Sequence, residues 1–297
     1  MYRLAADMGL TARVNRWQAR GERVPALCDR HVFVLRHGSE RPTIALLHGF
    51  PSSSFDWWAL LDQPEMRDRD VLAFDFLGFG LSDKPPGPYS LMTQADLVQE
   101  LVTRYAGGRV FIVAHDMGTS VANELFARQL DGRAEIEISG ALLFNGSMLL
   151  HLAKPTIGQR LLRSRAGPLL SQLGTERFFR QQLGSVFSTA HPLRAEEAAD
   201  QWSLYTHLGG NRRAHELVGY MDERVRYAER WHGAIRDWPG SLSLLWGMKD
   251  PVARVDVLRG LQELRPRVPV TAFPALGHYP QIEDPAAVAA VIDGAVR

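Results

Sequence analysis

The chain has 297 residues, which suits one large α/β domain or a domain with a sizeable insertion. An apolar fraction of 45% and a charged fraction of 23% are ordinary for a soluble globular protein. The formal net charge of +1 argues against a general nucleic-acid binder or membrane-surface binder, because either would need a concentrated basic field.

The N-terminal segment and the single cysteine bear on the cellular compartment. Residues 1–24 contain no long apolar run and no A-x-A-like cleavage site, so we expect no secretory signal. No run in the chain approaches the roughly 18 apolar residues that span a bilayer. Cys28 is the only cysteine, which excludes an internal disulfide, and we expect it to be structural. The sequence therefore predicts a cytoplasmic protein with no membrane partner and no nucleic-acid partner.

Short apolar runs alternate with helical patterns along much of the chain. Residues 31–38 alternate apolar and polar side chains, which is typical of a half-exposed antiparallel strand. The later runs are almost continuously apolar, as in strands that are buried on both faces of a parallel sheet. These runs are residues 43–47, 71–74, 110–113, 140–144, 242–246 and 268–273, and helical patterns cover residues 90–106 and 120–130. The alternation predicts an α/β fold with a doubly wound sheet.

The alternation stops between Phe144 and Leu242, where no good strand pattern occurs. The residues from about 150 to 235 have helical patterns instead, and the basic run D-E-R-V-R-Y-A-E-R among them is most simply a solvated face. We therefore expect a helical lid at residues 148–235. It would be inserted between two strands of a core formed by residues 1–147 and 236–297.

The run V-F-I-V-A-H-D-M-G-T-S, residues 110–120, ends in a carboxylate between small residues. A strand, a sharp turn and a helix with small residues two places before and two places after a nucleophile form a nucleophile elbow. Ala114 and Gly118 occupy the small positions, and Asp116 occupies the nucleophile position. A turn or helix-capping aspartate would have the same local pattern, so Asp116 alone leaves its role open.

Three further segments complete a catalytic arrangement around this elbow. The loop H-G-F-P, residues 48–51, would supply one backbone N–H of an oxyanion hole from Phe50, and Met117 would supply the other. Asp250 follows a strand-like run in L-L-W-G-M-K-D-P, and His278 lies in the loop A-L-G-H-Y-P. The chain order of nucleophile, acid and histidine is that of the elbow fold, which favours a catalytic role for His278.

Together these motifs resemble the α/β-hydrolase superfamily, and specifically its aspartate-nucleophile branch of epoxide hydrolases and haloalkane dehalogenases. The matching motifs are H-G-F-P, F-D-F-L-G-F-G-L-S-D-K-P, A-H-D-M-G, G-M-K-D-P and G-H-Y-P-Q-I-E-D-P. The second and last of them are most similar to the epoxide-hydrolase-like group that includes the vertebrate mesoderm-specific transcript proteins. The resemblance implies an α/β-hydrolase fold, with a mostly parallel sheet flanked by helices and a helical lid inserted between two strands.

An aspartate at the elbow suits chemistry at saturated carbon. An ionised carboxylate attacks without a base, so it can open an epoxide or displace a halide and leave an alkyl ester on Asp116. His278, oriented by Asp250, would then activate the water that attacks this ester. The N–H groups of Phe50 and Met117 would stabilise the oxyanion that forms.

The residues expected near the leaving group favour an epoxide over a halide. The dehalogenases usually hold the halide with a tryptophan directly after the nucleophile and an asparagine or tryptophan elsewhere, whereas this chain has Met117 and Phe50. The epoxide hydrolases protonate the ring oxygen with two lid tyrosines. Tyr220 lies nearest the second of these positions, and no tyrosine occurs where the first is expected. Either Tyr205 takes that role, or one phenol suffices, or another donor such as His207 serves.

Four more residues are assigned to the pocket because they adjoin these motifs: His48, Pro51, Trp57 and His115. No glycine-rich phosphate loop follows a strand and no metal-ligand spacing occurs among the histidines, so we expect no cofactor and no metal. The sequence thus predicts an epoxide hydrolase that takes a small apolar substrate and water, with a homodimer as one state open to it. Two alternatives remain: a haloalkane dehalogenase or other hydrolase with the same Asp116 nucleophile, and a silent hydrolase-like protein that binds a small apolar ligand.

Overall fold

An eight-stranded sheet runs through the centre of the structure, a computed structural model that describes residues 9–27, 30–41 and 43–297. Cys28 and the first eight residues of the N-terminal segment lie outside the described residues. The strands are β1 (Glu22–Ala26), β2 (Arg30–His37), β3 (Ile44–Leu47), β4 (Val71–Phe74), β5 (Arg109–His115), β6 (Glu137–Phe144), β7 (Leu242–Gly247) and β8 (Val270–Phe273). Their order across the sheet is β1-β2-β4-β3-β5-β6-β7-β8.

The sheet is mostly parallel. β2 pairs antiparallel with β1 and β4, and every other neighbouring pair is parallel.

The α-helices are α1 (Ala12–Arg20), α2 (Trp58–Leu61), α3 (Leu91–Ala106), α4 (Met117–Leu130), α5 (Ile157–Leu162), α6 (Gly167–Leu173), α7 (Glu176–Gly184), α8 (Ala195–Thr206), α9 (Ala214–Leu217), α10 (Tyr220–Arg226), α11 (Ala228–Asp237), α12 (Val255–Leu264), α13 (Pro280–Glu283) and α14 (Pro285–Val296). The predicted fold class, a mostly parallel sheet flanked by helices, is confirmed.

Both faces of the sheet are covered by packed layers. Along β5 the side chains of Val110 and Ile112 enter one apolar cluster and those of Phe111 and Val113 enter the other. This alternation follows from the two-residue period of a strand. It explains why the central strands read as continuous apolar runs, because each side chain has a core to enter.

The first helix and first strand were not predicted from the sequence. α1 is mostly polar and buries only Val14 and Trp17. Trp17 packs at 6.3 Å from the Phe33 ring and covers one face of β2. Residues 32–35 are therefore all buried, and the predicted half-exposed strand is wrong on this point.

Residues 145–241 lie between β6 and β7 and form helices, turns and loops without a strand. Helices α5 to α11 belong to this segment, in which the lid was expected. The division of the chain into a core and a lid stays a prediction. Within the described part of the chain, every helix is too short or too polar to cross a bilayer.

Gly118 lies in the first turn of α4, and its replacement by alanine should destabilise the fold. A Cβ there would stand 2.6 Å from the carbonyl oxygen of Leu47 and 2.7 Å from that of His48. Both contacts are with backbone, so we expect Gly118→Ala to separate β3 from α4 and to lower the free energy of unfolding by about 1–3 kcal/mol in urea denaturation.

Gly294→Ala is the matched control for this substitution. Gly294 is exposed in α14 and no atom lies within 4 Å of its Cβ position. Alanine should therefore raise stability there by up to about 1 kcal/mol through helix propensity. Equal effects of the two substitutions would contradict the steric argument.

Candidate active site

Asp116 forms a strained turn between the end of β5 and the start of α4. Its backbone has φ 45° and ψ −111°, which a residue with a Cβ adopts only when its surroundings impose it. Thr119 holds the turn by donating its N–H and its hydroxyl to the carbonyl oxygen of Asp116, at 3.2 Å and 2.6 Å. The turn directs the carboxylate beyond the carboxyl end of β5, the edge at which open α/β sheets bind ligands.

The loop after β3 supplies a donor to this carboxylate. The N–H of Phe50 donates to Asp116 Oδ2 at 3.0 Å, and the Phe50–Pro51 peptide bond is cis. Gly49 permits the approach, because a Cβ there would stand 2.6 Å from the Cβ of Asp116. The N–H of Met117 belongs to the first turn of α4, where N–H groups have no partner within the helix. The two predicted oxyanion donors therefore flank Asp116.

Arg224 of α10 also reaches the nucleophile position, and sequence reasoning missed it. Its Nη2 donates to the backbone oxygen of Asp116 at 3.1 Å and lies 3.8 Å from Oδ1, while Nε donates to the Ser120 hydroxyl at 2.8 Å. The side chain is buried, so the predicted solvated face is wrong for this member of the basic run. The sequence did contain a signal for Arg224. It lies four residues after the predicted site residue Tyr220, and residues four apart share one face of a helix.

His278 and Asp250 form a buried pair. His278 Nδ1 lies 2.7 Å from Asp250 Oδ2, and Asp250 Oδ1 accepts the N–H groups of Val252 and Ala253 at 2.7 Å and 3.0 Å. The His278 N–H donates to the carbonyl oxygen of Val186 at 2.9 Å. Because Nδ1 is held by the carboxylate, Nε2 is the ring nitrogen that is left for proton transfer.

The surrounding charges set the protonation of His278. Burial lowers the pKa of His278, but the charge and hydrogen bond of Asp250, with the charges of Asp116 and Glu283, outweigh burial and raise that pKa to about 9. The folded structure therefore favours the protonated form of the His278 ring.

Asn145 is a second residue that sequence reasoning missed. It directly follows β6 with φ 47°, and its Oδ1 accepts the Gly247 N–H at 2.9 Å. Its Nδ2 donates to Asp250 Oδ2 at 2.8 Å, so this oxygen is shared between Asn145 and His278. The signal in the sequence was a polar amide at the end of an apolar run, on the same sheet edge as Asp116.

An apolar cavity of about 300 Å³ adjoins these residues. Phe50, Pro51, His278 and Tyr279 line it on one side. The helical segment contributes mainly apolar side chains to the lining: Leu161, Leu162, Leu170, Leu173, Phe178, Phe179 and Leu183. Asp116 is 1% exposed and is not part of this lining. The carboxylate is therefore separated from the cavity by the residues that cover it.

Of the four predicted pocket residues, only Pro51 lines this cavity. Trp57 is fully buried and packs edge-on against Phe144 at 5.9 Å. Its ring supports the sheet beneath the site because the helical turn that carries it folds back onto the core.

His48 and His115 are likewise behind the site. The Phe76 N–H donates to His48 Nε2 at 2.9 Å, which ties two loops together. His115 Nε2 donates to the carbonyl oxygen of His278 at 2.7 Å, and burial together with the charge of His278 lowers the pKa of His115 to about 3. Both rings are positioning groups. Among the described residues, no three histidine, cysteine or acidic side chains group in a way that could hold a metal ion.

The two candidate phenols differ in whether the charge of Asp116 acts on them. Tyr205 lines the cavity and stacks on Phe179 at 4.7 Å, and burial alone raises its pKa. Tyr220 is buried, and burial and then the charge of Asp116 raise its pKa. The Tyr220 hydroxyl oxygen accepts a hydrogen bond from Gln159 Nε2 at 3.2 Å, so the hydroxyl proton of Tyr220 is left free to be donated. Of these two phenols, Tyr220 is therefore the one on which the charge of Asp116 acts.

Tyr279 is a third phenol, which sequence reasoning missed although it adjoins His278. It is buried and lines the cavity. Burial raises its pKa, as do the charges of Asp56 and Asp116, and a hydrogen bond with Ser52 opposes them. Tyr279 therefore stands between the cavity and a buried polar group in which Ser52 donates to Asp56 Oδ2 at 2.5 Å.

Comparisons with known proteins agree with this architecture. Residues 44–291 match the family described as "Alpha/beta hydrolase family". The chain is 48% identical to a putative hydrolase, LipZ, of Mycobacterium tuberculosis, over 93% of this chain and 95% of that one. It is 33% identical to the mouse mesoderm-specific transcript protein over 82% and 75% of the two chains. The haloalkane dehalogenase DbeA of Bradyrhizobium elkani superposes with a TM-score of 0.76 at 20% identity, over 93% and 97% of the two chains.

The raised pKa of His278 should make stability depend on pH. The folded protein favours the protonated ring, so this stabilisation is complete below about pH 6.5 and is lost as the pH rises through about 9. We expect the free energy of unfolding, measured in urea, to decrease as the pH rises across that interval. His278→Gln should remove the contribution of His278 to this decrease. The exposed His31 serves as the control position, since His31→Gln should leave the pH dependence in place. Parallel curves for His278→Gln and the unsubstituted chain would contradict the assignment.

Proposed function

Because this chain belongs to the alpha/beta hydrolase family, we propose that it hydrolyses apolar epoxides to vicinal diols through an ester on Asp116. The superfamily predicted from the motifs is thereby confirmed. The observation that carries the proposal is the carboxylate at the elbow, which accepts the Phe50 N–H at 3.0 Å and raises the pKa of the buried His278. A carboxylate in this position attacks saturated carbon, whereas a serine there would favour acyl transfer.

In the first step a carboxylate oxygen of Asp116 attacks one ring carbon of the epoxide. The carbon–oxygen bond of the ring breaks, and its electron pair goes to the ring oxygen, which takes a proton from a phenol. Tyr220 is the donor we favour, since its hydroxyl already accepts a hydrogen bond from Gln159 and the charge of Asp116 acts on it. Tyr279, which lines the cavity, is the second donor. The product is a hydroxyalkyl ester of Asp116.

In the second step His278 takes a proton from water, and the resulting hydroxide attacks the ester carbonyl carbon. The Phe50 and Met117 N–H groups stabilise the oxyanion. Its collapse breaks the ester bond, and the departing alkoxide takes the proton of the attacking hydroxyl group, which gives the diol and restores the carboxylate. The proton on His278 returns to the phenolate through solvent. Asn145 and Asp250 keep the imidazole ring in place for this step.

The contents of the site favour an epoxide over an alkyl halide. A departing halide needs N–H donors, and the positions at which the dehalogenases carry them are Met117 and Phe50 here. A departing alkoxide needs a proton, and phenols border the site. The likeness to the haloalkane dehalogenase DbeA, at 20% identity, supports the fold alone.

The covalent intermediate offers the direct test. His278→Gln should block the second step, so that incubation with styrene oxide leaves one molecule of epoxide on the peptide containing Asp116, as seen by intact-mass and peptide mass spectrometry. The double variant Asp116→Asn with His278→Gln should stay unmodified. An adduct from 1-bromobutane instead would favour a dehalogenase. The absence of any adduct from a broad panel of both classes would favour a binding protein.

The two phenols that the sequence predicts as donors, Tyr220 and Tyr205, can be separated by matched substitutions. Tyr220→Phe should slow formation of the ester about a hundredfold or more, because the ring oxygen loses its acid. Tyr205→Phe should change this rate by less than about threefold, because burial alone raises the pKa of Tyr205 and the Asp116 charge does not act on it. Single-turnover measurements of styrene oxide consumption report the rate directly. The reverse order of effects would assign the donor to Tyr205.

A further inference from the structure

The helical segment exposes a concentrated set of large apolar side chains. Eight such side chains are exposed in the described part of the chain, and five of them fall between residues 157 and 178. We call these five the apolar rim: Ile157 (57% exposed), Leu161 (40%), Leu169 (60%), Leu173 (64%) and Phe178 (39%). Exposed apolar residues that cluster in this way mark interaction surfaces rather than ordinary surface.

Part of the apolar rim lies where the lining of the cavity reaches the outer surface, which we call the mouth of the cavity. Leu161, Leu173 and Phe178 line the cavity and are exposed as well, so the cavity wall continues onto the outer surface. Ile157 lies one turn before Leu161 on α5, and Leu169 lies one turn before Leu173 on α6, so each pair shares a helix face. Anything that covers the rim therefore also covers the entrance to the site.

Basic side chains accompany the apolar rim. Residues 154–182 contain six lysines and arginines and one acidic residue, a net charge of +5 within a chain whose total is +1. Arg163 pairs with Asp222, and Arg180 pairs with Glu176. Three others, Arg160, Arg165 and Arg177, are exposed and have no ion pair with any residue that the structure describes. The rim is thus an apolar patch edged by uncompensated positive charge.

We propose that the apolar rim docks this protein on the surface of an anionic lipid bilayer, with the mouth of the cavity facing the hydrocarbon. Helices that lie in a membrane interface combine exposed leucine and phenylalanine, which enter the apolar layer, with arginine, which faces the lipid headgroups. An anionic leaflet attracts each nearby arginine, and that attraction adds to the apolar contact. An apolar substrate dissolved in the bilayer then enters the cavity without crossing water.

A second copy of this chain fits the rim poorly. In a symmetric dimer the same surface patch meets itself, so two segments of net charge +5 would face each other. The expectation of no membrane partner rested on the charge of the whole chain. That sum conceals the concentration of basic residues in the segment 154–182, which carries the apolar rim.

Co-sedimentation of the full-length protein with vesicles tests the proposal without measuring activity. One set of vesicles is phosphatidylcholine alone, and the other contains about one third phosphatidylglycerol. We expect binding about tenfold tighter, or more, to the anionic set, with a strong decrease at high salt. Equal binding to both sets, or binding to neither, would overturn the proposal.

Paired variants locate the surface. Ile157→Ser with Leu169→Ser removes two rim residues outside the cavity lining, and Arg165→Gln with Arg177→Gln removes two of the unpaired charges. Each double variant should weaken binding to anionic vesicles about tenfold or more, while Leu130→Ser and Arg67→Gln, which are exposed elsewhere, should not. Unchanged binding by both double variants, at an unchanged urea midpoint, would overturn the proposal. So would a dimer in sedimentation velocity that the rim variants dissociate.

Discussion

A buried carboxylate is the constraint on which the rest of this site depends. Asp116 is 1% exposed, and a charge removed from water in this way needs donors and an opposite charge close by. The Phe50 N–H, the start of α4 and the Arg224 guanidinium meet that need. The positive φ of the turn and the absence of a side chain at Gly49 are the geometric conditions for these contacts.

One helix of the segment between β6 and β7 completes the site. α10 carries Tyr220, the favoured proton donor, and Arg224, the counter-charge, with the guanidinium 4.6 Å from the Tyr220 ring. Under the proposed mechanism, ester formation neutralises Asp116, which weakens the hold of Arg224 and lowers the pKa of His278. The same covalent event would therefore loosen α10 from the elbow and produce the neutral base that the second step requires.

The alternation of apolar strands and helices and the sharp turn between β5 and α4 could be predicted because each depends on neighbouring residues. A strand end, a small residue at Gly118 and a polar residue at the tip are visible within one short run. Arg224, Asn145 and Trp17 could not be placed in this way. Arg224 is 108 residues from Asp116, and Asn145 is 105 residues from Asp250, so their roles arise only from packing between distant elements. Periodicity within α1 or α10 says which face is apolar, and it does not say what that face meets.

Selectivity in such a site would come from two sources of different kinds. The apolar walls of the cavity discriminate by size, and each methylene contributes about 1–3 kcal/mol at most. Recognition of the reacting oxygen falls to the part of the cavity where His278 and Tyr279 lie, while the rest of the lining is mainly apolar with a few polar side chains such as Thr156 and Gln182. A substrate would then be recognised by one reactive oxygen in that part of the cavity and by an apolar body that extends towards the mouth. A molecule with such an apolar part partitions into a bilayer more readily than into water. The apolar walls of the cavity and the proposed membrane contact of the apolar rim therefore favour the same class of substrate.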